Sequence, residues 1–175
     1  MKRLIYPLAS LVIITASAFT VIKSQDWTVN EGYSVKFSSA DPSGEFSGLK
    51  ASITFDENNL AASKFDATID VATINTGNGM KNTHAKSEKW FDADKYPVIK
   101  FTSSAITKTS AGYAATGKLE IHGVQKDFTM PFTFANNVFT AGFDINRLDY
   151  NINTAEPAHG AATVHVDISV PVSKM

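Results

Sequence analysis

From Val35 to Val170 apolar and polar residues alternate with a period of two, and nothing else in the chain constrains its fold as strongly. That period sends successive side chains to opposite faces, so each run reads as a strand with one buried and one wet face. The first run is short, with Val35 and Phe37. Leu49, Ala51, Ile53 and Phe55 follow, then Phe65, Ala67, Ile69 and Val71. Ile99, Phe101, Ser103 and Ala105 make a fourth stripe, and Tyr113, Ala115, Gly117, Leu119 and Ile121 a fifth. Phe128, Met130, Phe132 and Phe134 lead into Asn136-Asn137, a pair suited to a tight hairpin with positive φ. Phe139, Ala141, Phe143 and Ile145 return from it, and Val164, Val166, Ile168 and Val170 close the series at eight strands. Gly79 to Ser87 lacks the alternation and reads as a short helix that Thr76 or Asn78 would cap.

Eight half-buried antiparallel strands fit either two packed sheets or one sheet closed on itself. Ala51, Ala67, Ser103, Ala105, Ala115, Gly117 and Ala141 put small groups on several inner faces. A sandwich core would interdigitate them with the larger Phe, Ile and Val residues. A closed barrel of eight strands would instead keep the space for one ligand, and the small residues favour it. Pro131 has no N–H to give to a ladder, so its strand requires an edge, a bulge or a gap there.

The chain starts Met1-Lys2-Arg3, runs apolar from Leu4 to Ile14, and reaches Ala16-Ser17-Ala18. These are the parts of a bacterial secretory signal, so residues 1–18 are expected to be removed and 19–175 to form one periplasmic or secreted domain. An uncleaved N-terminal membrane anchor is the alternative, because Phe19, Val21 and Ile22 lengthen the apolar run. With no Cys in the chain, disulfides, thiolate metal sites and Cys nucleophiles are excluded. Sixteen Lys and Arg against seventeen Asp and Glu give a formal charge of −1, which offers no basic surface for nucleic acid.

Catalytic and metal chemistry find little support. His84, His122, His159 and His165 are not spaced as ligands, so no metal site and no cofactor is expected. Ser47 stands one position late for a nucleophile elbow in Gly44-Glu45-Phe46-Ser47-Gly48, and no catalytic constellation is legible. Arg147 and Asp149 could pair with each other and order the following loop.

Several longer blocks resemble a known family. Ile69-Asp70-Val71-Ala72-Thr73-Ile74-Asn75-Thr76 is followed by His84 and Ser87, then by Phe91-Asp92-Ala93-Asp94-Lys95-Tyr96-Pro97 and Phe101-Thr102-Ser103. Gly117-Lys118-Leu119 leads to Gly123-Val124-Gln125-Lys126, and Arg147 and Asp149-Tyr150 come late. In order and spacing these resemble the YceI-like family of exported bacterial proteins, from about Trp27 to Val172. Lys81, Asn82 and Ala85 depart from the residues that often surround the helical His in that family, which puts its head-group preference in doubt here. True lipocalins place a Gly two residues before the first-strand Trp; Gln25 stands there.

The resemblance implies an all-β, eight-stranded antiparallel, lipocalin-like barrel with one short helix. It implies as partner a polyisoprenoid or a similar long-chain fatty amphiphile, carried, stored or sequestered in the periplasm. It also leaves room for a homodimer and for transient membrane contact. The inner faces then supply the expected ligand site: Ala51, Ala67, Ala115, Gly117 and Ala141 make room. Phe37, Phe55, Phe65, Phe101, Phe128, Phe132, Phe139 and Phe143 form the wall with Ile69 and Val166. His84, Trp90 and Phe91 are expected at a rim or lid. Two other readings share the fold: an enzyme acting on a lipid-like substrate, and a ligand-free structural or stress-related barrel.

Overall fold

The structure, a computed structural model, describes residues 25–155 and 161–175. The expected leader at 1–18 and the loop residue His159 lie outside those residues. Ten antiparallel strands follow one another as β1 (Asp26–Val29), β2 (Ser34–Ser38), β3 (Gly44–Phe46), β4 (Leu49–Thr54), β5 (Lys64–Asp70), β6 (Val98–Thr109), β7 (Gly112–Ile121), β8 (Val124–Ala135), β9 (Val138–Asn146) and β10 (Thr163–Lys174). The helix α1 (Gly79–Lys86) lies between β5 and β6.

Eight strands close into a barrel in the order β1-β4-β5-β6-β7-β8-β9-β10, because β1 pairs with both β4 and β10. β10 is long enough to serve two partners on the same side. Its Val172–Lys174 end pairs with β1, and its His165–Ser169 stretch pairs with β2. β2 and β3 thus extend one end of the barrel, where Glu45 and Asn75 exchange backbone hydrogen bonds of 2.9 Å. The expected strand count holds for the closed ring with one exchange of members. β1 takes the place assigned to the Val35–Phe37 run, because four residues around Trp27 are too few to show a period.

Local chemistry explains the turns. Asn136 and Asn137 both have positive φ (51° and 60°), the pairing a two-residue hairpin needs to match strand twist. The α1 N-cap is Asn78, whose side chain accepts from the Met80 and Lys81 N–H groups at 3.0 and 3.1 Å. One parity expectation fails. A β-bulge between Ser103 and Ala105 turns Ala105 outward and points Ile106 into the core. Ser103 keeps its inward position, and its Oγ accepts the Phe65 N–H at 2.8 Å.

The two ends of the barrel differ. One is a floor of aromatic rings. Phe55, 1% exposed, meets Tyr113, Phe132, Phe134 and Phe139 edge to face at centroid distances of 5.1–5.6 Å. Trp27 packs on Phe134 and Phe139 and donates its indole N–H to the Phe55 carbonyl at 2.8 Å. At the other end Val35, Phe46, Ile74 and Ala85 form a separate small cluster against Phe91, with the Phe46 and Phe91 rings at 90°. This second cluster is the roof, where Ala85 of α1 and Phe91 after it pack onto Val35 of β2, Phe46 of β3 and Ile74.

Candidate functional site

Between floor and roof lies a cavity of about 180 Å³. Its lower wall is Phe65, Phe132 and Phe139, and its sides are Leu49, Ile69, Phe101, Leu119, Phe128, Phe143, Val166 and Val170. Val35 and Phe46 of the roof, with Phe37 and Ile99 packed against them, close it at the top. The space exists because small residues coincide in register. Ala51 and Ala67 face each other across β4 and β5, and Ala141 on β9 borders the same volume. No polar atom opens onto it; even Lys36 and Thr140 contribute only apolar surface.

Such a space has a cost and a use. At ~24 cal/mol per Å³, an unfilled volume of this size destabilises the fold by on the order of 4 kcal/mol relative to a filled core. Water gains nothing there, since it needs polar partners, and an apolar void of about 150 Å³ is known to stay dry and accept benzene. With ~30 Å³ taken up by one water-sized group, the cavity has room for on the order of six such groups in a row of hydrocarbon.

Of the residues expected at the site, Phe37, Ala51, Phe65, Ala67, Ile69, Phe101, Phe128, Phe132, Phe139, Ala141, Phe143 and Val166 border the cavity. Phe55, Ala115 and Gly117 do not. Phe55 belongs to the floor, below the cavity. Ala115 is fully buried beside Ile106, in the part of β7 that pairs with β6 beyond its bulge. Gly117 makes room for backbone and not for ligand: a Cβ there would lie 2.1 Å from the Thr102 carbonyl oxygen. Alternation in the sequence gives the face of each residue but not its height along the barrel. Ile53, Leu119, Ile121, Met130, Ile145 and Ile168 also line the space. The sequence had placed all of them on inner faces, with nothing to separate them from ordinary core.

His84, Trp90 and Phe91 stand at the roof and not in the wall. The exposed His84 ring lies 5.8 Å from Trp90, and Trp90 carries the Arg147 guanidinium over its face at 5.5 Å. Arg147 donates to the carbonyls of Ile152 (2.7 Å), Ala161 (3.0 Å) and Asn153 (3.2 Å), so it ties the β9–β10 connection together. Asp149 faces Lys126 at 3.7 Å. His122 sits in the β7–β8 turn against Tyr96, and His165 is exposed on β10. His165 lies between Asp144 (2.6 Å) and Asp167 (3.4 Å), and the hydrogen bond its ring donates to the Asp144 carboxylate holds its pKa above the ordinary imidazole value of 6.5. In the floor, the Tyr113 hydroxyl donates to Glu57 at 2.5 Å, a bond that raises the phenol pKa.

The geometry can be set beside known proteins. The family model described as the YceI-like domain matches residues 21–173. Protein YceI of Escherichia coli is 30% identical over 139 residues, covering 74% of this chain and 71% of that protein. The UPF0312 proteins of Photorhabdus laumondii and Yersinia enterocolitica are 39% and 31% identical, over 47% and 63% of this chain. Those alignments span 43% and 63% of the two relatives, less than two thirds of their lengths. Among solved structures, BcnA of Burkholderia cenocepacia superposes with a TM-score of 0.77 at 31% identity, over 83% of this chain and 99% of that one. A polyisoprenoid-binding domain from Saccharophagus degradans shares the fold, with a TM-score of 0.59 at 16% identity over 85% of this chain and 98% of that one.

Proposed function

The chain belongs to the YceI-like family, and from that premise we propose that it binds a long-chain amphiphilic lipid, a polyisoprenoid or a fatty amphiphile, with the tail in the barrel cavity. The observation that carries this is the cavity itself: about 180 Å³, wholly apolar, in a fold that filling it would stabilise. Each methylene moved there from water contributes ~0.8 kcal/mol, so about six buried carbons of the tail gain roughly 5 kcal/mol before ordering costs. Such capture needs no ion pair, in keeping with a wall that has none. The name of the Saccharophagus domain supports the isoprenoid as ligand class, through fold alone.

A carrier, buffer or store fits this chemistry better than an enzyme does. His84 stands at the roof, and Arg147 is engaged with backbone carbonyls. Neither borders the cavity, so neither meets the tail of a bound lipid. The relatives named above are bacterial, and among the described residues no helix is long and apolar enough to cross a membrane. The start of the chain reads as an export signal, and the periplasm is the proposed compartment, where a lipid must be shielded as it crosses water.

Organic extraction of the purified protein followed by mass spectrometry is the direct test, and a long-chain lipid in near-stoichiometric amount is expected. Ala67→Phe places a ring in the cavity and should abolish uptake of a fatty probe while the barrel keeps its fold. An empty extract together with undiminished uptake by Ala67→Phe would sink this site.

A further inference from the structure

We propose that the lipid enters the barrel sideways, through a split between β8 and β9, and not through either end; this rests on the lipid-binding reading above. β8 has twelve residues and β9 nine, yet they pair only at Thr133 with Thr140, Phe134 with Phe139, and Ala135 with Val138. From that point toward the roof the strands part. The Val124–Phe132 stretch of β8 pairs with β7, and the Ala141–Asn146 stretch of β9 pairs with β10. Neither pairs with the other there. Pro131, two residues past Thr133, has no N–H with which to add a rung.

The split joins inside to outside. An outer cleft bordered by Pro131, Thr133, Gly142, Asp167 and Ser169 shares Phe132, Thr140, Ala141 and Ile168 with the cavity. Across the divide the Phe128 and Phe143 rings meet edge to face at 5.0 Å. Both are half-buried, as are Met130 and Ala141, whereas Phe132 and Phe139 at the branch point are buried. Turning that pair of rings aside opens the wall and breaks no backbone hydrogen bond. Entry through the floor would displace the packed rings around Phe55, and entry through the roof would lift α1 and Phe91 off Phe46. A tail that slides in between β8 and β9 leaves its head group among the hydroxyls of Thr133, Thr140 and Ser169 and the Asp167 carboxylate.

The test is kinetic. Thr129 and Asp144 are exposed on the outer faces of the two parted strands, so the variant Thr129→Cys/Asp144→Cys can be bridged across the split with a short bis-maleimide. Uptake and release of the polyene fatty acid cis-parinaric acid are followed by stopped-flow fluorescence in bridged and unbridged protein. The bridge should slow both rates by about tenfold or more with little change in equilibrium occupancy, and Phe143→Ala without a bridge should speed both. Rates indifferent to the bridge, or Phe143→Ala no faster than the natural chain, overturn side entry and leave lipid binding standing. No uptake by the unbridged protein overturns lipid binding and side entry together.

Discussion

At Gly117 the missing methyl group lets the bulged β6 approach its ladder partner β7 closely. A Cβ there would meet the Thr102 oxygen at 2.1 Å and the Ser103 Cα at 2.7 Å, both backbone atoms that cannot swing away. Gly117→Ala is therefore expected to destabilise the protein by about 2 kcal/mol or more, read as a lower denaturant midpoint. An unchanged midpoint would mean that β6 does not follow this path. His165 gives a pH signature at the same scale. Its pKa is raised when folded, so the stabilisation from its carboxylate partners is full below 6.5 and is lost as pH rises through the folded pKa. Nuclear magnetic resonance titration should place that imidazole above its ordinary value, and Asp144→Asn should bring it down. Neither residue's role could be read from the chain. Alternation put Gly117 on an inner face and His165 on an outer one, but only register shows that Gly117 faces backbone or that Asp144 lies beside His165.

Elements were legible where their period ran long enough to repeat. Each long alternating run became a strand, and the Asn136-Asn137 turn formed as its chemistry requires. β1 and β3, with four and three residues, were too short for any period to show, and they are held by their neighbours β4, β10 and β2. The bulge in β6 was hidden for another reason: an extra residue in a strand changes no composition, only the parity beyond it. Pro131 announced an irregularity without saying which kind, and the structure resolves it as the end of the β8–β9 ladder. The helix allows a test confined to one element. Removing the Asn78 cap with Asn78→Ala should cost about 1 kcal/mol. Because α1 packs on the roof through Ala85, its amides should exchange faster while those of β6 and β7 keep their protection. Equal acceleration throughout the barrel would show that roof and barrel unfold as one.

On the scale of the whole molecule, packing is unequal along the barrel axis. Interlocked aromatic rings make one end solid, small residues leave the middle empty, and a short helix with its following segment covers the far end. The barrel could be anticipated from eight half-buried strands with alanines on their inner faces. Which end was solid could not, because that depends on which rings share a height. The solid end makes the protein a depth gauge. With the floor rings at one end and the Val35 and Phe46 cluster at the other as fixed stops, each added carbon of a saturated fatty acid should tighten binding by ~0.8 kcal/mol until the hollow is full, and longer tails should gain nothing more. Calorimetric titration across a series of chain lengths would show that plateau, and the length at which it begins would measure the hollow from within.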